Sequence, residues 1–438
     1  MSRLLQVVFI GCRKSGQLDL EAVEMLVRDS MHRAGAAALE RLLSMPSAQP
    51  EDATCGCGHA AQHQGKRAKQ ILTALGPVRM ERSYYLCRHC HHGHSPLDRE
   101  LDVEGVAYSP GVRRMLAVVG SEHSFDQGRE QLKLLAGLEV TAKAVERQAE
   151  AIGTEMEACE QAEIGRAKQL DLPAVCEAAA PVFYIEMDGT AVPVVKAETE
   201  GRAGKLEGQP AHTREVKLGC VFTQTTTDGE SRATRDEGST SYVGAIETAA
   251  AFGLRLYNEA WRRGWNRAQK KVVIGDGAVW IWNLADQHFP GATQIVDLFH
   301  ARQHLWELGV RLFPQSPKRR KRWVAVCLDR LDKGKIEALV KFLHQLHPAD
   351  PEIAKFATNE AEYFARNAGR MRYPAFRAQG LFVGSGVVEA GCKTVIGARL
   401  KRSGMFWTVH GANAIIALRC CRLSHKFEDY WANRSKAA

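Results

Sequence analysis

Residues 182–190 read VFYIEMDGT, and residues 271–278 read KVVIGDGA. Each is a short apolar run of strand type ended by an aspartate and a glycine: Asp188 with Gly189, Asp276 with Gly277. Runs of a few Val, Ile, Phe and Tyr residues favour the pleated, buried strand. Lys217–Phe222 (KLGCVF) and Thr293–Val296 (TQIV) have the same texture. A helical stretch, roughly 243–263, lies between the second and third runs in chain order, and another, about 279–287, between the third and fourth. Strands alternating with helices predict an α/β sheet rather than a barrel or sandwich. In such a sheet, carboxylates at the carboxyl ends of neighbouring strands face the crevice where ligands bind. A glycine beside each lets a ligand or metal approach the backbone.

Downstream, residues 301–370 read as helical throughout, and a last helical region covers about 386–424. The stretch LFVGSGVVEAGCK (381–393) places Glu389 just inside a helix opened by Ser385. Its capping box is imperfect, because the third residue after Ser385 is Val388. Two hard divalent ions need shared carboxylates, and together they can clamp the attacking and leaving oxygens of a phosphodiester displacement. Asp188, Asp276 and Glu389 are candidate ligands on that ground. The competing role for each strand-end aspartate is a cap or turn residue. Lys393 follows Glu389 by four positions, which on a regular helix shares its face; it suits either an ion pair with Glu389 or contact with a phosphate.

Upstream, Cys55-x-Cys57 and Cys87-x-x-Cys90 bracket two apolar runs, 71–75 and 78–86, joined at Gly76-Pro77. Two short-spaced cysteine pairs on two turns offer zinc a tetrahedral thiolate set, the layout of a zinc ribbon. Four structural thiols, or a mixed site using His59, His89, His91, His92 or His94, are the alternatives. Residues 124–153 read as two helices: Ser124 and Thr141 are caps, Ala136-Gly137 the break, and Lys143 and Arg147 are available to a DNA groove. Helical hairpins with a glycine turn also arise for packing alone. Ser109-Pro110 opens the helical region before them. Residues 18–45 form an amphipathic packing helix with Leu20, Val23, Leu26, Val27 and Met31 on one face, continuing through an Ala-rich stretch to Leu42 and Leu43, and 44–52 is a linker. The 201–240 stretch reads as a hairpin plus a loop.

Of 438 residues, 45% are apolar and 25% charged, which excludes a disordered, collagenous or simple coiled-coil chain. A formal charge of +9 is compatible with a polyanionic partner. Lys318-Arg319-Arg320-Lys321-Arg322 precedes Trp323, and Arg399-Leu-Lys401-Arg402 precedes Phe406-Trp407. Cations interleaved with aromatics suit phosphate contact and base stacking, although a charge run is also an ordinary solvated face. No apolar run is long enough for a membrane span, and Leu4–Ile10 is a poor signal peptide, so the expected location is the cytosol. Scattered cysteines fit reduced thiols there. Gly11-Cys-Arg-Lys-Ser15 lacks the frame of a phosphate loop.

MDGT (187–190), IGDGAVWIWNLA (274–285), DLFHARQHL (297–305), GSGVVEAGCK (384–393) and IGARLKRSGMFW (396–407) together resemble a bacterial insertion-sequence DDE transposase. The similarity is to the ISKra-like group, with a Mutator-like pattern, over about 180–425. The resemblance implies an RNase H-like catalytic core over 179–300 and 381–425, interrupted by a helical insertion over 301–380. Segments 1–50 (helical), 51–102 (zinc-ribbon-like) and 103–178 (helix-turn-helix-like, DNA-binding) would precede it. It further implies a triad of Asp188, Asp276 and Glu389 holding two Mg²⁺ or Mn²⁺ ions, with Asp297 and His300 in support; the one structural zinc is expected from the cysteine spacing. The expected partners are double-stranded DNA, as transposon ends and target, and further copies of the chain, in a nucleoid-associated bacterial setting without a membrane. An RNase H-fold nuclease and an inactive DNA-binding derivative are the other classes. A paired-carboxylate glycosidase would leave the ribbon and the basic segments without a purpose.

Overall fold

The computed structural model describes residues 13–14, 17–45, 52–172, 175, 179–204, 210–230 and 232–434. Leu4–Ile10 and most of the 44–52 linker lie outside them. The chain divides into two compact units, Met1–Glu150 with Asn433–Ala438, and Ala151–Ala432.

The first unit opens with α1 (Leu20–Leu43), capped by Asp19, whose side chain accepts from the Ala22 N–H at 3.2 Å. The face expected to pack does so only in part: Leu20, Val27 and Met31 are exposed, while Val23 and Leu26 are half-buried. Ala36 is buried instead, against Ile71, Val78, Met80 and Val103, with Leu39 and Leu43 beside it. The small side chains of the helix's second half let it sit close on a sheet. That sheet is antiparallel, β1 (Asp52–Thr54), β2 (Ala60–Thr73), β3 (Gly76–Cys87) and β4 (Gly93–His94) in order. It is longer than the expected two-strand hairpin, but it turns at the expected place, where Gly76 takes φ +110°. Ser109 caps α2 (Pro110–Glu122), with Pro110 in its first turn. Ser124 caps α3 (Phe125–Gln131), Gly137 stands in the left-handed region, and Thr141 accepts from the Ala144 N–H where α4 (Ala142–Lys168) begins. Val112, Leu116, Leu132, Leu138 and Val145 make the core of these helices.

The second unit is built on a five-stranded mixed sheet. Its strands are β5 (Val182–Pro193), β6 (Thr213–Gln224), β7 (Ser241–Ala245), β8 (Lys270–Gly275) and β9 (Thr293–Val296), in the spatial order β7-β6-β5-β8-β9. The first three pair antiparallel, while β8 and β9 run parallel to β5. The expected helix over 243–263 is shorter by a strand. Val243, Gly244 and Ala245 pair with Gly219, Leu218 and Lys217, and Thr248 then caps α5 (Ala249–Arg262). A run of small residues carries no periodicity, so its backbone followed the open edge of β6. Helix α6 (Val279–His288) separates β8 from β9 as expected.

The helical stretch after β9 starts at Leu298 and comprises α7 (Leu298–Leu312), α8 (Pro317–Asp332), α9 (Ile336–His344) and α10 (Pro351–Asn367). Near the end, α11 (Gly386–Gly391) widens into a π turn at Cys392–Gly397, and residues 401–408 break the expected last helix before α12 (Val409–Leu423). In the 201–240 stretch, Thr226–Thr227 pairs with Ala233–Thr234 as a small hairpin. Among the described residues no helix is long and apolar enough to cross a membrane.

Candidate active site

Three acidic residues come level on the central sheet. Ile274 lies opposite Glu186 on β5, and Gly275 lies opposite Val296 on β9. Carried past the end of β8, that register aligns Asp188, Asp276 and Asp297 on three adjacent parallel strands. Asp188 and Asp276 are half-buried, and Asp297 is fully buried. Asp188 accepts from the Gly189 N–H at 2.7 Å and Asp276 from the Ala278 N–H at 2.8 Å. Asp297 caps α7, taking the N–H groups of Phe299 and His300 on one oxygen. Its other oxygen accepts from the Ser385 N–H and, at 2.5 Å, from the Ser385 hydroxyl.

Helix α11 brings Glu389 to the same place. Its Val388 N–H donates to the Glu186 carboxyl at 2.8 Å, and one turn on, the Cys392 thiol lies 3.4 Å from Asp188 Oδ2. His300 Nε2 stands 3.4 Å from Glu389 Oε1. Burial pushes the Asp188 carboxyl upward, and the Asp276 charge adds to this, against the Cys392 thiol, the Gly189 N–H and His300. Burial also raises Glu186, to about 8. Neither Asp188 nor Asp276 has a Lys or Arg ion-pair partner among the described residues. Half-buried carboxylates without a compensating cation are a donor set suited to a hard divalent ion. Among the described residues, no three carboxylate or imidazole groups at this site bring ligand atoms within 4.8 Å of one another. A single ion would therefore not touch all three carboxylates as they stand.

The helices after β9 reach back to this cluster. Tyr363 on α10 donates its hydroxyl to the Asp276 carbonyl, and its ring stacks on His304 at 4.1 Å; His304 in turn lies 2.8 Å from Glu360. Gly277, at φ +99°, leaves room for that ring: a Cβ there would lie 2.5 Å from it. Glu186, Tyr363 and Cys392 were missed from the sequence. A glutamate inside an apolar strand run was the one available signal, since buried carboxyls are rare without a partner.

The basic candidates separate by burial. Lys143, Arg147, Lys318, Arg319, Lys321, Arg322, Lys393 and Lys401 are exposed, and Arg320 and Arg402 half-buried. Lys143 pairs with Glu146 at 2.7 Å, Arg320 lies over the Trp306 ring, and Lys401 donates to Thr190. Glu389 forms no ion pair with Lys393 among the described residues; its partner is His300. Arg399 and Trp407 are corrections. Both are buried, the guanidinium lies over the indole ring at 5.0 Å, and the indole N–H donates to the Leu400 carbonyl. They hold the loop after α11 together and present no face to DNA.

In the first unit, the knuckle at Cys55–Gly58 and the turn after Cys87 bring four sulfurs together. Cys55 lies 3.5 Å from Cys90 and Cys57 3.6 Å from Cys87, with all four within 4.8 Å. A tetrahedral site with Zn–S near 2.3 Å asks for sulfurs about 3.8 Å apart, so the cluster has the spacing and donor set for zinc. The Cys90 N–H leads the contacts that lower the Cys87 thiol to about 6. The Cys90 thiol is raised to about 12: the His92 N–H lowers it, but Cys57 and Cys55 outweigh that. His59 and His89 stack at 3.8 Å beside Cys57, forming with it a second close group.

No family model matches the chain, and no curated protein matches it. The solved Drosophila P element transposase strand transfer complex aligns with 74% of this chain and 80% of that chain, at 9% identity and a TM-score of 0.25.

Proposed function

We propose that the chain is a DDE transposase with an RNase H-like core over 179–300 and 381–425, split by a helical insertion at 301–380. It would bind the terminal inverted repeats of its own element, cut the element ends and join them to target DNA. The observation that carries this reading is the docking of α11, from far downstream, beside the strand end of Asp188, where Cys392 lies 3.4 Å from Asp188 and Glu389 lies 3.4 Å from His300, with no Lys or Arg paired to Asp188 or Asp276 among the described residues. The mixed sheet, with two parallel strands added beside an antiparallel set of three, supports the RNase H-like core.

Asp188, Asp276 and Glu389 would hold two Mg²⁺ or Mn²⁺ ions, which supply Lewis-acid polarisation of the scissile phosphodiester and a more acidic attacking water. The residues themselves do the placing. Asp297 fixes the starts of α7 and α11, so that His300 and Glu389 face each other, and His300 orients the Glu389 carboxylate. No side chain is asked to bond to DNA: water cuts the end, and the freed 3′-hydroxyl attacks the target in line. Lys143 and Arg147 in the 103–178 segment, the α8 cations Lys318 to Arg322, and Lys393, Lys401 and Arg402 would contact phosphates. One zinc on Cys55, Cys57, Cys87 and Cys90 would hold the 51–102 ribbon, which has only a small core of its own. The working form would be a homo-oligomer on double-stranded DNA in the bacterial nucleoid.

The test incubates the full chain and Mg²⁺ with DNA ending in the short inverted repeats that flank its gene, together with a target plasmid. Joined products are expected. Cut ends without joining would make the protein a nuclease, and intact DNA in both Mg²⁺ and Mn²⁺ a non-catalytic binder.

A further inference from the structure

Glu186 is fully buried, on β5 two residues before Asp188, and has no role in the chemistry above. Helix α11 begins at Gly386, and its first-turn N–H groups have no carbonyls of their own to meet. Ser385, at its N-cap, makes no capping hydrogen bond to the helix, because its hydroxyl is turned to Asp297. The Val388 N–H finds Glu186 Oε2 at 2.8 Å instead. The cap of this helix is thus supplied from another strand. Glu186 Oε1 is buried with no hydrogen-bond partner among the described residues. That oxygen carries a desolvation cost, while an apolar residue in its place would leave the Val388 N–H without this acceptor. The acceptor holds the helix one residue before Glu389, from a strand position two residues before Asp188.

We propose that Glu186 is a positioning residue: by capping α11 from β5, it sets the distance between Asp188 and Glu389. Only an acceptor oxygen is required of it, not a charge. The proposal rests on the transposase reading for what Glu389 does once placed, so its test also uses readouts that need no cleavage.

Full-length wild type, Glu186→Met and Glu186→Gln are compared by hydrogen exchange of the 385–391 segment and by Mn²⁺ affinity from electron paramagnetic resonance. Methionine matches the length of glutamate and suits an apolar site; Glu186→Leu replaces it if that chain does not fold. Exchange in the methionine variant is expected to quicken about tenfold or more. Its Mn²⁺ affinity is expected to drop about tenfold, as for other groups that orient a ligand. Glutamine, which keeps the acceptor, should restore both. Wild-type exchange and affinity in the methionine variant would overturn the proposal, and so would a glutamine variant as impaired as methionine. A wild-type chain that binds Mn²⁺ but never cuts or joins DNA would instead overturn the transposase reading, while exchange and affinity still judged Glu186.

Discussion

The Tyr363 hydroxyl donates to the main-chain carbonyl of Asp276 at 2.7 Å, linking residues 87 positions apart in the chain. The helices after β9 therefore brace the turn that presents one of the two strand-end carboxylates. Tyr363→Phe should cost about 1 kcal/mol, the net worth of one such bond. Gly277→Ala should cost about 3 kcal/mol, since it combines a left-handed backbone with a clash against the same ring. Denaturant unfolding ranks the two, and an alanine milder than the phenylalanine would remove the brace.

Glu259 is buried, and Lys426 donates to both of its oxygens at 2.6 Å. Burial pushes this carboxyl up, but the charges of Lys426 and Arg262 and the Ser241 hydroxyl outweigh it and hold it at about 2. Its folded value lies below the ordinary 4.5. Its stabilisation is therefore present above that pH and lost as pH falls toward 2. Lys426→Met should destabilise the protein by about 3 kcal/mol at neutral pH. It should also flatten the decline in stability over that acid range; an unchanged acid limb would assign it to other groups.

How much of this was legible follows from which contacts are local. That Asp188 and Asp276 end apolar strands can be read directly, because strand texture and the following glycine sit side by side in the chain. Thr293–Val296 came out at its exact bounds for the same reason. Strand β7 did not, because Val243-Gly-Ala becomes a strand only when β6 offers its edge. The packing face of α1 was read only in part, because the larger side chains Leu20 and Met31 stay exposed while the Ala-rich half, at Ala36, meets the sheet. Arg399 looked like a DNA contact within a cationic run, and only the fold puts Trp407 beneath it. Glu186 and Tyr363 act across about two hundred and about ninety residues respectively, beyond the reach of any local pattern.

The purified protein should carry about one zinc per chain, as four clustered thiolates require. Removing it with a chelator should unfold the 51–102 ribbon, since binding and folding of such a site are coupled. Elemental analysis of protein prepared without chelator decides the first point. Circular dichroism before and after chelation decides the second, and an unchanged spectrum would mean that the ribbon keeps its fold without the metal.

Arg399 and Arg322 should part company. Arg322→Ala removes an exposed cation and should lower the salt slope of DNA affinity by about one unit with little change in stability. Arg399→Ala empties a buried site over Trp407 and should cost about 3 kcal/mol. A salt slope that responded only to Arg399 would reverse the assignment.

The most direct measurement is end cleavage by Asp188→Asn, Asp276→Asn and Glu389→Gln, each of which keeps side-chain size but removes a negative charge. In Mg²⁺, with DNA carrying the element's own inverted repeats, each variant should cut slower than wild type by orders of magnitude. Binding to the same DNA and thermal melting should stay near wild type, because affinity comes from cations elsewhere. A variant that cut at close to the wild-type rate would remove its residue from the triad and, with it, the reading of this cluster as a DDE active site.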